Sequence, residues 1–224
     1  MKKSDLDGVY KFLSHSYHGN WQNRWGSTPF MSKFSNSESI LGHMWACMEF
    51  WFQIKGVFPE LNKVVNSELL YEIIMNHDLG ETYSGDVSMT RQINGEGSNK
   101  KLTERDQISS LVSTLDQKTQ EVILRNFDDF EEDINNTSNI EVLVAKFIDT
   151  LQGDQFALIF GNDLVENSEL IDKIISLRFT PYAKRLIDVL KVKHEDAAKE
   201  VIQIANHHLE QIRLAGIKIS ANDF

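Results

Sequence analysis

Cysteine and proline are scarce in this chain, and basic residues are fewer than acidic ones. A single cysteine, Cys47, excludes a disulfide within the chain. Only three prolines interrupt the sequence, which leaves room for many continuous helices. The 23 Lys and Arg residues face 33 Asp and Glu residues, a formal net charge of −10. Because phosphate backbones require clustered cations, this balance argues against a nucleic-acid polymer as partner but allows a small phosphorylated ligand.

Long hydrophobic runs are also missing. The longest apolar stretch, residues 44–54, is interrupted by Glu49 and is too short to span a bilayer. The opening residues MKKSDLDGVYKFL contain acids and a glycine where a signal peptide needs an unbroken apolar run. We therefore predict a cytoplasmic protein with no membrane partner. Its 224 residues, 41% of them hydrophobic, are enough for one large domain or two small ones.

Apolar residues recur at helical spacing along almost the whole chain. The predicted helices cover residues 6–13, 40–48, 69–74, 102–115, 117–127, 140–151, 164–177, 182–190 and 195–214. Ser37 and Glu38 are the predicted start of the second helix, and Gly216 is the predicted C-cap of the last. Residues 18–36, 84–99 and 135–139 are predicted to be irregular. Because no strand, repeat or flexible linker is needed, we predict a single all-α domain over residues 1–224.

A histidine and several carboxylates end one of these hydrophobic helices, in the segment MNHDLGETYSGDV. Ile73 lies one turn before His77 on the buried face, so the imidazole is predicted to point inward, where it needs a partner. Adjacent helical residues point about 100° apart, so His77 and Asp78 can approach one ion from two directions. If the helix continues, Glu81 lies on the same side, near the ion.

Two further polar residues interrupt segments that otherwise resemble core helices. His43 lies in ESILGHMWACM and Asp149 lies in EVLVAKFIDTLQ. A charged carboxylate against a core is costly unless it is paired or bound to a metal. Any one such residue is more often a hydrogen-bonded core group than a ligand. Four of them in the order His, His-Asp, Asp favour a metal site.

This order resembles the signature of the HD-domain metal-dependent phosphohydrolases, which are helical bundles. The stretch HDLGETYSGDVSMT is similar to the motif of the bacterial 5′-deoxynucleotidase branch of that family, and Arg24-Trp25 matches an Arg-Trp pair upstream of the first histidine. The resemblance covers a motif-bearing core of about residues 24–156. It implies an HD-type bundle on which C-terminal helices, residues 163–216, pack.

The resemblance also implies a role for each matching residue. One divalent cation would be bound by His43, His77, Asp78 and Asp149. The catalytic residues would be Asp78 and Glu81, with Glu81 as the acid–base group. Arg24 would hold the phosphate, while Trp25 and Asp86 would contact the sugar and disfavour a 2′-hydroxyl. A ligand set of two imidazoles and two carboxylates suits Mn²⁺, Co²⁺, Fe²⁺, Ni²⁺ or Mg²⁺.

The predicted activity is hydrolysis of nucleoside 5′-monophosphates, preferably deoxynucleotides, to nucleoside and phosphate. An HD-type dNTP triphosphohydrolase or another small-nucleotide hydrolase is the alternative enzyme. A non-catalytic metal-binding regulatory module is the alternative without an activity. Only Arg24 stands out near the motifs as a phosphate clamp, which favours a monophosphate substrate.

Several other residues are assigned no role in the site. Five histidines are predicted to lie on the surface: His15, His18, His194, His207 and His208. Residues 128–133, the acidic run DDFEED, are predicted to be a solvated helix end. Lys100 and Lys101 could reach a phosphate, but lysines after a loop are usually exposed to solvent, and this is the prediction for both. Core or subunit interface is predicted for Trp45, Phe50, Trp51 and Phe52. An aromatic helix beside the first ligand fits the homodimer that the resemblance implies.

Overall fold

Helices provide nearly all regular structure in residues 3–31 and 38–224, the part of the chain that this computed structural model describes. The α-helices of this part are α1 (Lys3–Ser16), α2 (Ile40–Val57), α3 (Pro59–Val64), α4 (Ser67–Asn76), α5 (Glu81–Ser84), α6 (Met89–Ile93), α7 (Lys100–Val112), α8 (Gln117–Phe130), α9 (Ile140–Phe160), α10 (Ser168–Leu177), α11 (Phe179–Lys191) and α12 (Glu195–Leu214). Short 3₁₀ helices cover Tyr17–Asn20 and Pro29–Met31. Strands do not occur among the described residues, where Asn23 and Ser39 form an isolated antiparallel bridge. The all-α prediction is confirmed.

Polar N-caps explain where several helices begin. Ser39 accepts a hydrogen bond from the backbone of Gly42 at the start of α2, and Asn139 accepts one from Val142 at the start of α9. Such caps satisfy backbone N–H groups that the first helical turn leaves unpaired. The predicted cap at residues 37–38 is therefore displaced to Ser39, and Ser37 lies outside the described residues.

The helix boundaries differ from the predictions in the loops and at the proline-containing turns. Pro59 begins α3, a short helix that the sequence pattern did not reveal. Pro181 lies in the first turn of α11, where a missing N–H costs nothing, so this helix begins earlier than predicted. Two short helices, α5 and α6, fall in or at the edge of the segment predicted to be irregular. Gly216 follows α12 with a φ of 81°, as its predicted capping role requires.

Helix α9 lies at the centre of the bundle. It packs against α2, α4 and α11, and α11 in turn packs against α12. Every residue from Val142 to Gly153 is buried. One hydrophobic core runs from Phe30 to Ile217 and so includes the C-terminal helices. The boundary at about residue 156 between a motif-bearing core and C-terminal helices stays a prediction.

The packing of α2, α4 and α9 brings together the three helices that carry His43, His77 and Asp149. A smaller apolar cluster, around Ile108 and Phe127, joins α7 to α8. Across the described residues, no helix has both the length and the apolarity that crossing a lipid bilayer would demand.

Candidate metal centre and active-site cavity

The four residues of the predicted ligand set converge on one point. His43 Nε2 lies 3.1 Å from Asp149 Oδ1, 3.3 Å from His77 Nε2 and 3.5 Å from Asp78 Oδ2. The distance from His77 Nε2 to Asp78 Oδ2 is 3.4 Å. Potential ligand atoms of His43, His77 and Asp149 all lie within 4.8 Å of one another. The structure brings these side chains together, and their assignment as metal ligands stays a prediction.

Hydrogen bonds on the far side of each imidazole set its tautomer. His77 Nδ1 lies 2.7 Å from the Ile74 carbonyl oxygen, which can only accept, so Nδ1 carries the hydrogen. His43 Nδ1 lies 2.6 Å from Gln152 Oε1, and the amide of Gln152 is oriented by donation from its Nε2 to Glu38 Oε1. Both imidazoles therefore present an Nε2 lone pair to the same small space. This is the arrangement that outer hydrogen bonds impose on metal-binding histidines.

The chemistry of these donors fits a divalent cation. Two imidazole lone pairs at a separation of 3.3 Å repel each other unless a proton or a cation lies between them. Asp149 adds one oxygen to this space, because its other oxygen, Oδ2, accepts a hydrogen bond of 2.9 Å from Arg178. A mixed set of nitrogen and carboxylate ligands suits the first-row divalent metals and Mg²⁺.

The pKa shifts of His77 and Asp149 favour the ionisation states that metal ligands need, whereas the shift of His43 favours a protonated ring. Burial lowers the pKa of His77, which favours the neutral ring that a metal requires. Burial opposes the ionisation of Asp149, but Arg178 and the hydrogen bond to His43 hold its pKa well below the usual range. Burial also opposes protonation of His43, yet contacts with Cys47 and Asp149 raise its pKa well above the ordinary value. A proton and a cation therefore compete for His43 Nε2.

Glu81 lies beside the cluster, on a separate helix. α4 ends at Asn76, and α5 begins at Glu81 after a turn, so the helix does not continue as the sequence suggested. Glu81 is 2% exposed, and its Oε1 lies 2.8 Å from Lys100 Nζ. Its Oε2 has no hydrogen-bond partner within the described part of the chain. Burial and the nearby Asp78 raise the pKa of Glu81 well above its ordinary value, although Lys100 opposes the shift.

A glycine allows this close packing around Glu81. A Cβ atom at Gly80 would lie 2.7 Å from Glu104 Cβ and 2.8 Å from its carbonyl oxygen, so any larger residue would separate α5 from α7. The contact places Lys100 Nζ 3.3 Å from Glu104 Oε1 as well as next to Glu81. Burial raises the pKa of Glu104 to about 7, against the effect of Lys100. The prediction that Lys100 is a solvent-exposed lysine is wrong.

The three residues predicted to bind substrate lie side by side. Trp25 has a φ of 69°, a left-handed conformation that is unusual for a bulky residue. Its backbone N–H donates to Asp86 Oδ2 at 3.2 Å, and its indole Nε1 donates to Glu38 Oε2 at 3.3 Å. Arg24 Nη1 lies 3.3 Å from the same Glu38 oxygen, and Arg24 Nη2 lies 3.8 Å from Asp149 Oδ1. Hydrogen bonds to two carboxylates thus hold a strained backbone in place.

A cavity of about 1100 Å³, including its open mouth, extends from the cluster. Arg24, Asp78, Glu81 and Asp149 line it, together with aliphatic side chains from α10 and α12. The cluster is therefore accessible to a molecule larger than water.

Sequence reasoning missed several residues of this site, and the signals for them differ. Arg178 lines the cavity and binds Asp149, but it lies at a helix junction where no pattern indicated it. Gln152 interrupts a buried apolar helix three residues after Asp149, a signal of the same kind that identified Asp149. Lys100 also lines the cavity. Three cations thus border the cavity, which corrects the argument that only Arg24 is placed to bind phosphate.

Two other predictions also need correction. His208 is 8% exposed rather than on the surface, and its Nε2 donates to Asp154 Oδ2 at 3.1 Å. It follows Val201 and Ile204 on the buried stripe of α12, a spacing that could have indicated burial. The acidic run is not wholly solvated, because Phe130 is 5% exposed and its ring centroid lies 4.7 Å from that of His77.

The remaining predictions on histidines and aromatic residues fare unevenly. His15, His18 and His207 are exposed, whereas His194 is partly buried. Trp51 is fully buried, but Trp45 and Phe52 are 64% and 55% exposed, so these two do not belong to the core of the single chain. Cys47 is buried, and its Sγ lies 3.7 Å from both ring nitrogens of His43.

Comparison with known proteins adds a family and a fold. The model of the HD domain family matches residues 24–194. The fold is similar to the crystal structure of a protein from Magnetospirillum magnetotacticum MS-1 described as a predicted metal-dependent phosphohydrolase, with a TM-score of 0.65 and 15% sequence identity over 97% of each chain. No curated protein sequence matches the chain.

Proposed function

The chain belongs to the HD domain family, and we propose that it is a divalent-metal-dependent phosphohydrolase acting on nucleoside 5′-monophosphates, preferably deoxynucleotides. The observation that carries this proposal is the convergence of His43, His77, Asp78 and Asp149 at one end of an open cavity. The Magnetospirillum protein of similar fold, described as a predicted metal-dependent phosphohydrolase, supports the same class of reaction.

The four converging residues would hold the cation, and their hydrogen bonds would keep it in place. Gln152 fixes the ring of His43, the Ile74 carbonyl fixes that of His77, and Arg178 turns one oxygen of Asp149 toward the cluster. When bound, a divalent cation would lower the pKa of a water molecule and neutralise charge on the phosphoryl oxygens. Because these supports are in place before substrate arrives, little reorganisation is needed at the reaction.

Glu81 would transfer the proton. In this reaction the oxygen of water attacks phosphorus, and the bond from phosphorus to the ester oxygen breaks. Glu81 Oε2 would accept the proton of the water and pass it to the leaving oxygen, which then departs as an alcohol. The unpartnered state of Oε2 and the contact between Oε1 and Lys100 support this role, because they leave one oxygen available and hold the side chain in place.

Arg24 and Arg178 would bind the phosphoryl oxygens from two sides of Asp149. Both guanidinium groups line the cavity and contact that carboxylate. An arginine offers five N–H donors, so an ion pair with Asp149 leaves other donors free to bind phosphate.

Beside the two arginines, the contact between Trp25 and Asp86 supports a sugar site in which a 2′-hydroxyl would be crowded. Measured turnover of dAMP should exceed that of AMP, and equal rates would remove the proposed preference for deoxyribose.

The three cations that border the cavity also favour a second candidate, a dNTP triphosphohydrolase. Lys100, Arg24 and Arg178 together could neutralise more than one phosphate group. The product distinguishes the two activities: inorganic phosphate from a monophosphate, or tripolyphosphate from a triphosphate. A purely regulatory metal-binding module remains the third candidate, and the buried, unpartnered Glu81 Oε2 speaks against it, because a structural site has no use for such a group.

A phosphate-release screen of the purified protein across nucleotides and divalent metals tests the proposal. We expect metal-dependent release from deoxynucleoside monophosphates that a chelator abolishes. Failure of every nucleotide with every metal would contradict it. The homodimer and the cytoplasmic location stay predictions.

A further inference from the structure

The cavity follows one face of α9 away from the cluster. Asp149, Thr150, Gly153, Asp154 and Ala157 all line it, at the spacing that places residues on one side of a helix. The rise from Asp149 to Ala157 is about 12 Å, at 1.5 Å per residue. The cavity therefore has a reactive end at Asp149 and a far end that a small molecule bound at the cluster could reach.

The far end is an apolar chamber, defined here by Ala157, Ile171, Ile174, Ile175, Phe179 and Ile212, which line the cavity there. Ile175, Phe179 and Ile212 are 1%, 0% and 1% exposed and belong to the closely packed core, whereas Ile174 lines the cavity and is only partly buried. An apolar group of a bound molecule would cover the aliphatic surface that is left accessible there.

One carboxylate lies beside this chamber. Asp154 lines the cavity, and its Oδ2 accepts a hydrogen bond of 3.1 Å from His208 Nε2. The ring of His208 packs at 4.6 Å against Phe179, which ties this pair to the chamber wall. Because a carboxylate can accept about four hydrogen bonds, Asp154 retains capacity for a donor on the guest. A flat, mostly apolar group with an N–H on its edge would match both features.

We propose that the apolar chamber is the subsite for the nucleobase, with Asp154 accepting a hydrogen bond from a base N–H. This inference rests on the proposed function, since it places the phosphate of the substrate at the cluster. The sugar and phosphate are too polar to gain from aliphatic walls, whereas the two faces of a base lose little by leaving water. The C-terminal helices α10 to α12 thereby acquire a role in choosing the substrate.

A comparison of dAMP with 2-deoxyribose 5-phosphate, which lacks the base, tests the subsite. Ile174→Trp fills the chamber, and Leu177→Trp, three residues later on the same helix at a side chain that is 50% exposed, is the matched control. We expect the wild type and the control to prefer dAMP in kcat/KM by about 100-fold. Ile174→Trp should abolish most of that preference while keeping turnover of 2-deoxyribose 5-phosphate. Ala157→Leu, a smaller filling, serves if the tryptophan variant does not fold.

Calorimetric binding of dAMP to the manganese-loaded proteins separates this inference from the proposed function. Loss of dAMP affinity in Ile174→Trp but not in Leu177→Trp supports the subsite even if no nucleotide is hydrolysed. Equal dAMP affinity and equal preference in all three proteins would overturn it, whether or not phosphate is released. A third probe, 1-naphthyl phosphate, tests the role of Asp154: Asp154→Ala, which removes the acceptor, should weaken binding of dAMP by about 10-fold and leave binding of 1-naphthyl phosphate unchanged. If Asp154→Ala weakens neither, the proposed hydrogen bond from the base to Asp154 is overturned.

Discussion

The two ends of the cavity are built in opposite ways. At the cluster, the ionisable groups are held by hydrogen bonds from defined partners, such as Gln152 on His43 and Arg178 on Asp149. At the apolar chamber, packing alone shapes the walls, and Asp154 with its partner His208 is the polar exception. Under the proposed function this difference has a reason, because a reacting group must be fixed in orientation, whereas a leaving group needs only space of the right polarity.

The largest expected effect comes from removing the cluster and sparing the chamber. His77→Ala should abolish measurable phosphate release, because the variant lacks one of the proposed imidazole ligands. His207→Ala is the control, since the His207 side chain is 69% exposed and does not line the cavity. Phosphate release and bound metal should be measured for both. Full activity in His77→Ala would show that the chemistry takes place elsewhere.

The second-largest effect is expected from a variant that distinguishes proton transfer from metal binding at the cluster. Glu81→Gln keeps the shape of the side chain but cannot accept a proton. We expect kcat to fall by about 100- to 10,000-fold, with metal affinity unchanged. Glu49→Gln, an exposed glutamate on α2, is the control. An equal loss of metal and activity would mean that Glu81 is a ligand rather than the proton carrier.

A smaller effect should follow from loosening the support of His43. Gln152→Leu removes the hydrogen bond to Nδ1 and frees the ring to change tautomer. We expect metal affinity to fall by about 10- to 100-fold. Gln155→Leu, three residues later on the same helix and exposed, should bind metal like the wild type. Competition with a metal-binding dye measures both, and identical affinities would show that Gln152 does not orient the ligand.

The smallest effect is a pH dependence of stability at Glu104. Its pKa rises from 4.5 to about 7 on folding, so between these values the folded protein keeps a proton that the unfolded chain has lost. The resulting stabilisation is complete below pH 4.5 and disappears as the pH rises through about 7. Between pH 5 and 8 the wild type should lose about 1–3 kcal/mol more than Glu104→Gln. Urea unfolding at both pH values checks this, with Glu195→Gln as an exposed control.

The same comparison explains how far the sequence could predict the molecule. Helical periodicity was enough for the all-α fold, and isolated polar residues in apolar helices led to His43, His77 and Asp149. Arg178 and the apolar chamber could not be found that way. They depend on how α10 and α11 pack against α9. An isoleucine in the chamber wall has the same helical spacing in the sequence as an isoleucine in a filled core, so periodicity does not distinguish them.

The break after His77 shows a second limit. The placement of Glu81 on the same side as His77 depended on a continuous helix, but a turn intervenes. Gly80 lets α7 approach so closely that Lys100 contacts both Glu81 and Glu104. Spacing along the chain does not reveal that Gly80 is needed, because the requirement comes from its contact with Glu104 on another helix. Trp25 and Asp86, predicted from the resemblance to act together, do lie in contact.

In the proposed binding mode, helix α9 sets the spacing between the two groups that contact the substrate. Asp149 and Asp154 are five residues apart on it, so they are separated by about 7.5 Å along the helix axis. Lengthening the chain by one residue between them would turn Asp154 through about 100° and away from the cavity. Relatives that accept longer or shorter molecules would therefore have to move this carboxylate by whole turns, or recruit it from another helix.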